Sequence, residues 1–500
     1  MTDGIRNKIE QYGVKVDRLS VGGEYDKLKF LIDEMEQYKI TDEDIKNDAA
    51  FNYYLGTACG TYSDFLVRSG KSNTDSDVIE LRRTAMFYFR KGLSAYDPSV
   101  HIDQRAPLRI LTNYANVLDA AGRVIESLMI YRRVLCLNDH FSIARGNYGR
   151  ALQFLANMVN DSGHNKELHC YAYQAVKLAL IIDDPDLHEQ AVDAFQCIVD
   201  RYETSPSIDI LVKPIISKEY EMGTTDEEID YRTWCLKNHL FLNPLNEVIE
   251  TDSAFAHDPL SITTYSEDIG LVDSVSGNPA EPPRWFAMLN QLKEEYAYAR
   301  YLCFEGSEKY GDVHFADKDV KLTLASCDYS NYSIRIEQLK SSFRILYSMI
   351  DQICFFVNDF WSLGLEELKA DAFHICKASN YPKDNIILMS LYWVLCEFFE
   401  KYGDAETASE KDLAILRNAF EHKFVKVHKD EWKRKLQLEC DRFYHVSEDD
   451  LKKHTLRLLE ISREALMYLV YAIGLEESKK EISDKTVSIT LSDFPDEWKR

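Results

Sequence analysis

The sequence has no CxxC and no other paired cysteine spacing. Its eleven cysteines are scattered from Cys59 to Cys440, so neither a disulfide framework nor a zinc cluster is expected, and they read as buried apolar residues of a reducing compartment. It also lacks a P-loop, a GxGxxG turn and an HExxH pair, which removes the usual sequence grounds for phosphate cradles, dinucleotide folds and zinc hydrolases. Histidines such as His314, His374 and His454 stand isolated and read as satisfied polar residues, so no metal and no cofactor is expected. Long hydrophobic runs are missing too. The longest, such as 386 to 396, fall short of the roughly 18 residues that a bilayer span needs. The start, MTDGIRNKIEQYG, has no apolar signal core. The expectation is a soluble, cytoplasmic protein with no membrane partner. Positive charge is in deficit: a net charge of −24 repels nucleic acid and anionic lipid alike, so any polyanion must be met by a local patch, and no DNA specificity is expected.

What is present is enough apolar material to fold, 45% of 500 residues, in a chain too long for one core. Helical periodicity dominates, with strand-like alternation only in TVSITL, residues 486 to 491, so the predicted class is all-α. NYANVL (113 to 118) and NYGRAL (147 to 152) start 34 residues apart, the tetratricopeptide period. FRKGLSAYD (89 to 97) matches YRRVLCLND (131 to 139), with KLALIIDD (177 to 184) a weaker third copy. Tyr114, Leu118, Gly122 and Tyr131 stand where this repeat resembles that family's packing positions. The expected organisation is a helical segment over 1–47 and a tetratricopeptide-like solenoid over 48–203, offering a surface for a protein or peptide ligand. An irregular connector follows over 204–283, including LKNHLFLNPLNEV and the proline-rich tract SVSGNPAEPP, then a helical bundle over 284–476 and a tail over 477–500. Within the bundle, helices are predicted near 285–304, 330–362, 365–379, 385–402, 409–426 and 448–474. Ser409 with Asp412 and Ser447 with Asp450 form capping boxes for the last two.

One of these helices carries a candidate site. Leu413, Leu416, Phe420 and Phe424 form its apolar stripe. Asn418 and His422 are four apart on another face, and Arg417 and Glu421 form a second such pair beside them. Arg417, Lys423, Lys426, Lys429, Lys433, Arg434 and Lys435 outnumber the neighbouring acids Glu421, Asp430 and Glu431, and His428 is expected to add donors. Charges beyond roughly 8 Å are largely screened at physiological salt, so such a cluster can attract phosphate despite the global deficit.

Arg417-Asn418-Ala419-Phe420-Glu421-His422 resembles the R-x4–6-H signature of the higher eukaryotes and prokaryotes nucleotide-binding (HEPN) domains, including the frequent polar residue after the arginine. The resemblance extends from Arg284 to Leu475, and the arrangement looks like bacterial proteins that join tetratricopeptide repeats to a C-terminal HEPN-type bundle, with LKNHLFLNPLN as their connector. It implies a metal-independent endoribonuclease, in phage defence or a toxin-like system, with Arg417, His422, Asn418 and Glu421 as catalytic candidates. Lys423, Lys426 and Lys429 are candidates for binding RNA. It departs from toxins that carry an adenylylatable tyrosine two positions after the histidine, since Phe424 has no hydroxyl.

Metal-free cleavage uses the RNA's own 2′-OH as nucleophile. One group must take that proton, another must protonate the leaving 5′-oxygen, and donors must meet the phosphorane charge. Histidine can do either transfer and arginine presents a charged planar fork. Asn418 could orient the imidazole or bond the phosphate, and Glu421 could pair with Arg417 or only solvate the helix. In-line geometry puts acid and base on opposite sides of phosphorus, and the motif has one histidine, so a homodimer with two facing motifs is expected. The competing expectation is a scaffold that binds RNA or a nucleotide without cutting it.

Overall fold

The computed structural model describes residues 3–41, 48–97, 105–204, 221–248, 252–263, 284–308, 313–323, 330–366, 369–398, 411–429, 442–480 and 499. Among these the chain is all-α, with a single two-stranded ribbon. No described helix is long and apolar enough to cross a membrane.

The first half is a row of paired helices. Helices α1 (Asp3–Val21) and α2 (Tyr25–Thr41) pack on α3 (Ala49–Arg68), which pairs with α4 (Ser76–Ala95). Then α5 (Ala106–Ala120) pairs with α6 (Val124–Leu137), α7 (Ser142–Met158) with α8 (Ser162–Ile181), and α9 (Glu189–Glu203) closes against α8. The 34-residue match falls on equivalent first helices, α5 and α7. Each repeated asparagine reaches back one pair: Asn113 donates to Tyr53 Oη and Thr57 Oγ1 on α3, both at 3.3 Å, and Asn147 donates to Asn116 Oδ1 on α5 at 2.9 Å. Tyr114, Leu118 and Tyr131 are buried. Gly149 lets α7 approach α8 closely: an added Cβ would lie 2.8 Å from the Ala172 carbonyl oxygen.

Part of the segment expected to be irregular is ordered. Helix α10 (Asp226–Lys237) leads into Leu240–Glu247, which is almost wholly buried and includes a 3₁₀ turn at Pro244–Glu247. Buried non-helical backbone needs partners for its carbonyls, and two buried arginines supply them. Arg300 donates to Leu240 O at 2.9 Å, and Arg463 donates to Phe241 O at 2.6 Å and Asn243 O at 3.1 Å. Asn246 adds a donor to Leu236 O at 3.1 Å.

The second half surrounds α17 (Glu448–Ser478). Its residues 465–473 are buried on every side, as expected for a central helix, and it packs on α11 (Arg284–Glu308), α13 (Ile334–Phe360) and α15 (Ile386–Cys396). Short helices α12 (Phe315–Asp319) and α14 (Ala372–Lys377) lie between these in the chain, and among the described residues of the helix predicted over 365–379 the α-helix covers α14 alone. Ser447 Oγ accepts from Asp450 N at 3.0 Å, so that predicted cap is real. The Ser409–Asp412 box, the proline-rich tract at 274–283 and the TVSITL alternation lie outside the described residues or their described side chains.

The helix predicted over 409–426 is corrected at its end. Helix α16 (Lys411–His422) stops at His422, and Phe424–His428 forms strand β1, parallel to β2 (Phe443–Ser447) in register Phe424↔Phe443 through His428↔Ser447. Leu413, Leu416 and Phe420 are buried as the stripe requires, but Phe424 is 72% exposed. Val425 and Val427 alternate with Phe424 and Lys426, a β-branched and aromatic pattern that suits a pleated strand. Their partners Tyr444 and Val446 lie on a segment remote in sequence.

Candidate functional site

Helix α16 is held by its apolar side: the Phe420 ring packs edge-on to Phe343 of α13, centroids 5.3 Å apart, with Leu413 and Leu416 buried beside it. The other side therefore faces outward, and Asn418, Glu421 and His422 are exposed while Arg417 is half-buried at the boundary. Arg417 lies over the Tyr347 ring, 5.5 Å from its centroid, and its Nη1 donates to Asn418 Oδ1 at 3.2 Å. Asn418 thus holds the guanidinium, not the imidazole. Its amide NH₂ retains donors for an anion. Among the described residues no ion pair joins Glu421 to Arg417 and no hydrogen bond joins Asn418 to His422.

Sequence reasoning missed the groups behind Arg417. Tyr347 and Asp351 are four apart on α13, on one face. Burial pushes the Asp351 carboxyl above its ordinary range; Arg417 draws it back and Asp371 pushes it further up. Burial pushes the Tyr347 hydroxyl up to about 12, with Asp351 adding to the rise and Arg417 opposing it. Asp371 caps α14, accepting from His374 N at 2.9 Å with the His374 ring 2.7 Å away. Arg417 therefore stands between outward-facing polar groups and the Tyr347 ring of α13. No local signal near residue 417 marks Tyr347 or Asp351, because they come from another helix.

The binding candidates are spread along the chain that leaves α16. Lys423 N–H closes the helix on Ala419 O at 2.9 Å, and its side chain is exposed. Lys426 on β1 is half-buried, its Nζ 4.3 Å from the Phe443 ring centroid, and Lys429 is exposed just beyond β1. His428, expected to add donors to the basic cluster, is instead 1% exposed, and its Nε2 is 2.7 Å from Nδ1 of His445. Lys433, Arg434 and Lys435 lie outside the described residues. No described group of three or more His, Cys, Asp or Glu could hold a metal ion.

Residues 276–476, which run from before α11 into the last turn of α17 and include every candidate above, match the family described as LA2681-like HEPN. The match supports a HEPN domain in this stretch. No curated protein and no solved structure matches the chain.

Proposed function

We propose that this protein is a metal-independent endoribonuclease of HEPN type, acting as a homodimer, whose helical repeats bind a protein or peptide ligand that controls it, in phage defence or a toxin-like system. The observation that carries the reading is the presence on α16, within the HEPN-matched residues, of an exposed imidazole at the helix end and a guanidinium held by Asn418 and Tyr347. Arg417 and the Asn418 amide would take the phosphate oxygens. One His422 would remove the 2′-OH proton as the 2′-oxygen attacks phosphorus, and the partner subunit's His422 would protonate the leaving 5′-oxygen. The products are a 2′,3′-cyclic phosphate and a 5′-hydroxyl end. The Tyr347 ring would hold Arg417 from behind, with the Asp351 carboxyl close enough to feel its charge. Glu421, exposed and not paired with Arg417, stands at the mouth of the site.

The second reading, a scaffold that binds RNA or a nucleotide without cutting, is favoured by one feature: Asn418 engages Arg417 and not His422. Incubation of purified protein with total RNA in EDTA separates the two, with candidate repeat ligands or phage lysate added in parallel. The nuclease reading expects cyclic-phosphate ends from the wild type, reduced by roughly 10²-fold or more in His422→Ala, the scale of one general acid–base group. A protein that binds RNA in every condition and leaves it uncut is a scaffold.

A further inference from the structure

Strand β1 begins two residues after His422, and one face of the β1–β2 ribbon carries Phe424, Lys426 and His428 opposite Phe443, His445 and Ser447. These side chains form a graded row. Phe424, 72% exposed, leans on Phe443 with centroids 5.9 Å apart; Lys426 lies over Phe443 at 4.3 Å; Phe443 is 6.5 Å from the His445 ring, which stacks on buried His428 at 5.0 Å. The inner end of the row is packed into the protein. Its outer end carries the exposed Phe424 ring, with the half-buried Phe443 ring and Lys426 ammonium beside it, at the edge of the candidate site.

We infer that this outer end is a stacking platform for the unpaired bases of single-stranded RNA, seating a nucleotide beside the scissile phosphate; the inference rests on the nuclease reading for the site it flanks. Unstacked bases gain most from aromatic faces set next to a basic track, and every base has such a face, so recognition is tolerant of sequence. The ribbon supplies both components. Among the described residues Lys423 and Arg442 are exposed on either side of the rings, with Glu421 a nearby acid, in a chain whose overall charge is −24. The alternative occupant is the same face of a second copy. A two-fold contact made by the ribbon itself would set these cations against their counterparts, whereas a polyanion complements them. Bases locked in a duplex would not reach the platform, so it selects single strands.

The test uses the full-length His422→Ala protein, which keeps RNA intact, with and without Phe424→Ala or Phe424→Trp. A short fluorescein-labelled oligoadenylate and a labelled RNA duplex serve as probes, read by anisotropy. Phe424→Ala is expected to weaken oligoadenylate binding by roughly five-fold or more, the scale of one base–aromatic stack. It should leave duplex binding as in the parent, and Phe424→Trp should restore the single-strand affinity. Equal oligoadenylate binding by Phe424→Ala and its parent overturns the platform, as does failure of the parent to bind. A Phe424→Ala effect confined to the dimer's sedimentation would assign the face to a contact between copies, which also overturns it. RNA cleavage by the wild type alongside a silent Phe424→Ala sinks the platform alone. Phe424-dependent binding in a protein that never cuts sinks the nuclease alone.

Discussion

His239 is the residue whose conformation and environment are both unusual. Its φ of +53° lies in the left-handed region, which is uncommon for any residue but Gly. Its ring donates from Nδ1 to the Asn246 carbonyl. Burial, helped by the nearby Arg132 guanidinium, depresses its pKa to about 4 from an ordinary 6.5. The folded state thus keeps the ring neutral where the unfolded chain would protonate it. As pH falls from about 6.5 to about 4 the unfolded state takes up the proton first, and up to about 3 kcal/mol of stability is lost. Beside it, burial of the Glu247 carboxylate opposes ionisation, but Arg463 and Arg132 more than offset this and hold its pKa at about 2. The stability from Glu247 is complete above about 4.5 and is lost only below it, a separate window. His239→Asn tolerates the same backbone and can still donate to Asn246 while having nothing to titrate. Urea denaturation at a series of pH values should show a flatter stability profile between 6.5 and 4 in this variant, with near-parental stability at pH ~8.

Among the elements, the α5–α6 turn is the most sharply specified. Gly122 N–H donates to Asp119 O and Arg123 N–H to Leu118 O, both at 2.9 Å, with Gly122 at φ +86°. This is the pair of bonds by which a left-handed glycine ends a helix. An alanine there would be strained, and its Cβ would sit 2.6 Å from Ser390 Oγ on α15. Gly122→Ala is expected to lower stability by about 1–3 kcal/mol, and adding Ser390→Ala should recover the contact part but not the backbone part, as read by thermal denaturation. The repeat register placed Gly122 among the packing positions, and the sequence is similarly legible wherever a pattern is local. The helical class, the matched helices α5 and α7, the buried stripe Leu413–Leu416–Phe420 and the Ser447 cap could all be read this way. The end of α16 could not. Phe424 fits a helical spacing by coincidence, and what makes it a strand is pairing with Phe443 across an intervening stretch that carries no turn signal. Arg417 and His422 were legible as a motif, but the setting of Arg417 was not, since Tyr347 and Asp351 reach it only through tertiary packing.

At the scale of the molecule, the repeats and the HEPN-matched bundle meet through ionised groups, not only through apolar surface. Arg123, 1% exposed, pairs with Glu126 on α6, with Glu397 after α15 at 3.1 Å and with Glu464 on α17 at 3.2 Å. Arg90 also reaches Glu397, and Arg457 reaches Glu126 at 2.7 Å. Tyr468 Oη accepts from the Ile125 N–H at 3.0 Å. Removing one partner of such a cluster leaves buried charge without compensation, so Arg123→Met is expected to destabilise the protein by about 3–5 kcal/mol, with Glu464→Leu added to it restoring part of the loss. All six tryptophans of the chain lie at Trp234 or beyond, so their fluorescence follows the second half while circular dichroism follows the whole. The two urea transitions should coincide in the parent and shift together in Arg123→Met. The same arrangement constrains how the gene can drift. Helix α17 starts at the ribbon and engages Arg123 and the buried Phe241–Asn243 carbonyls farther along. One codon inserted or deleted between Ser447 and Arg463 would advance the helix by about 1.5 Å and rotate its far end by roughly 100°. Arg463 and Glu464 would then face the wrong neighbours. That span should diversify by substitution while its length stays constant from one descendant to the next.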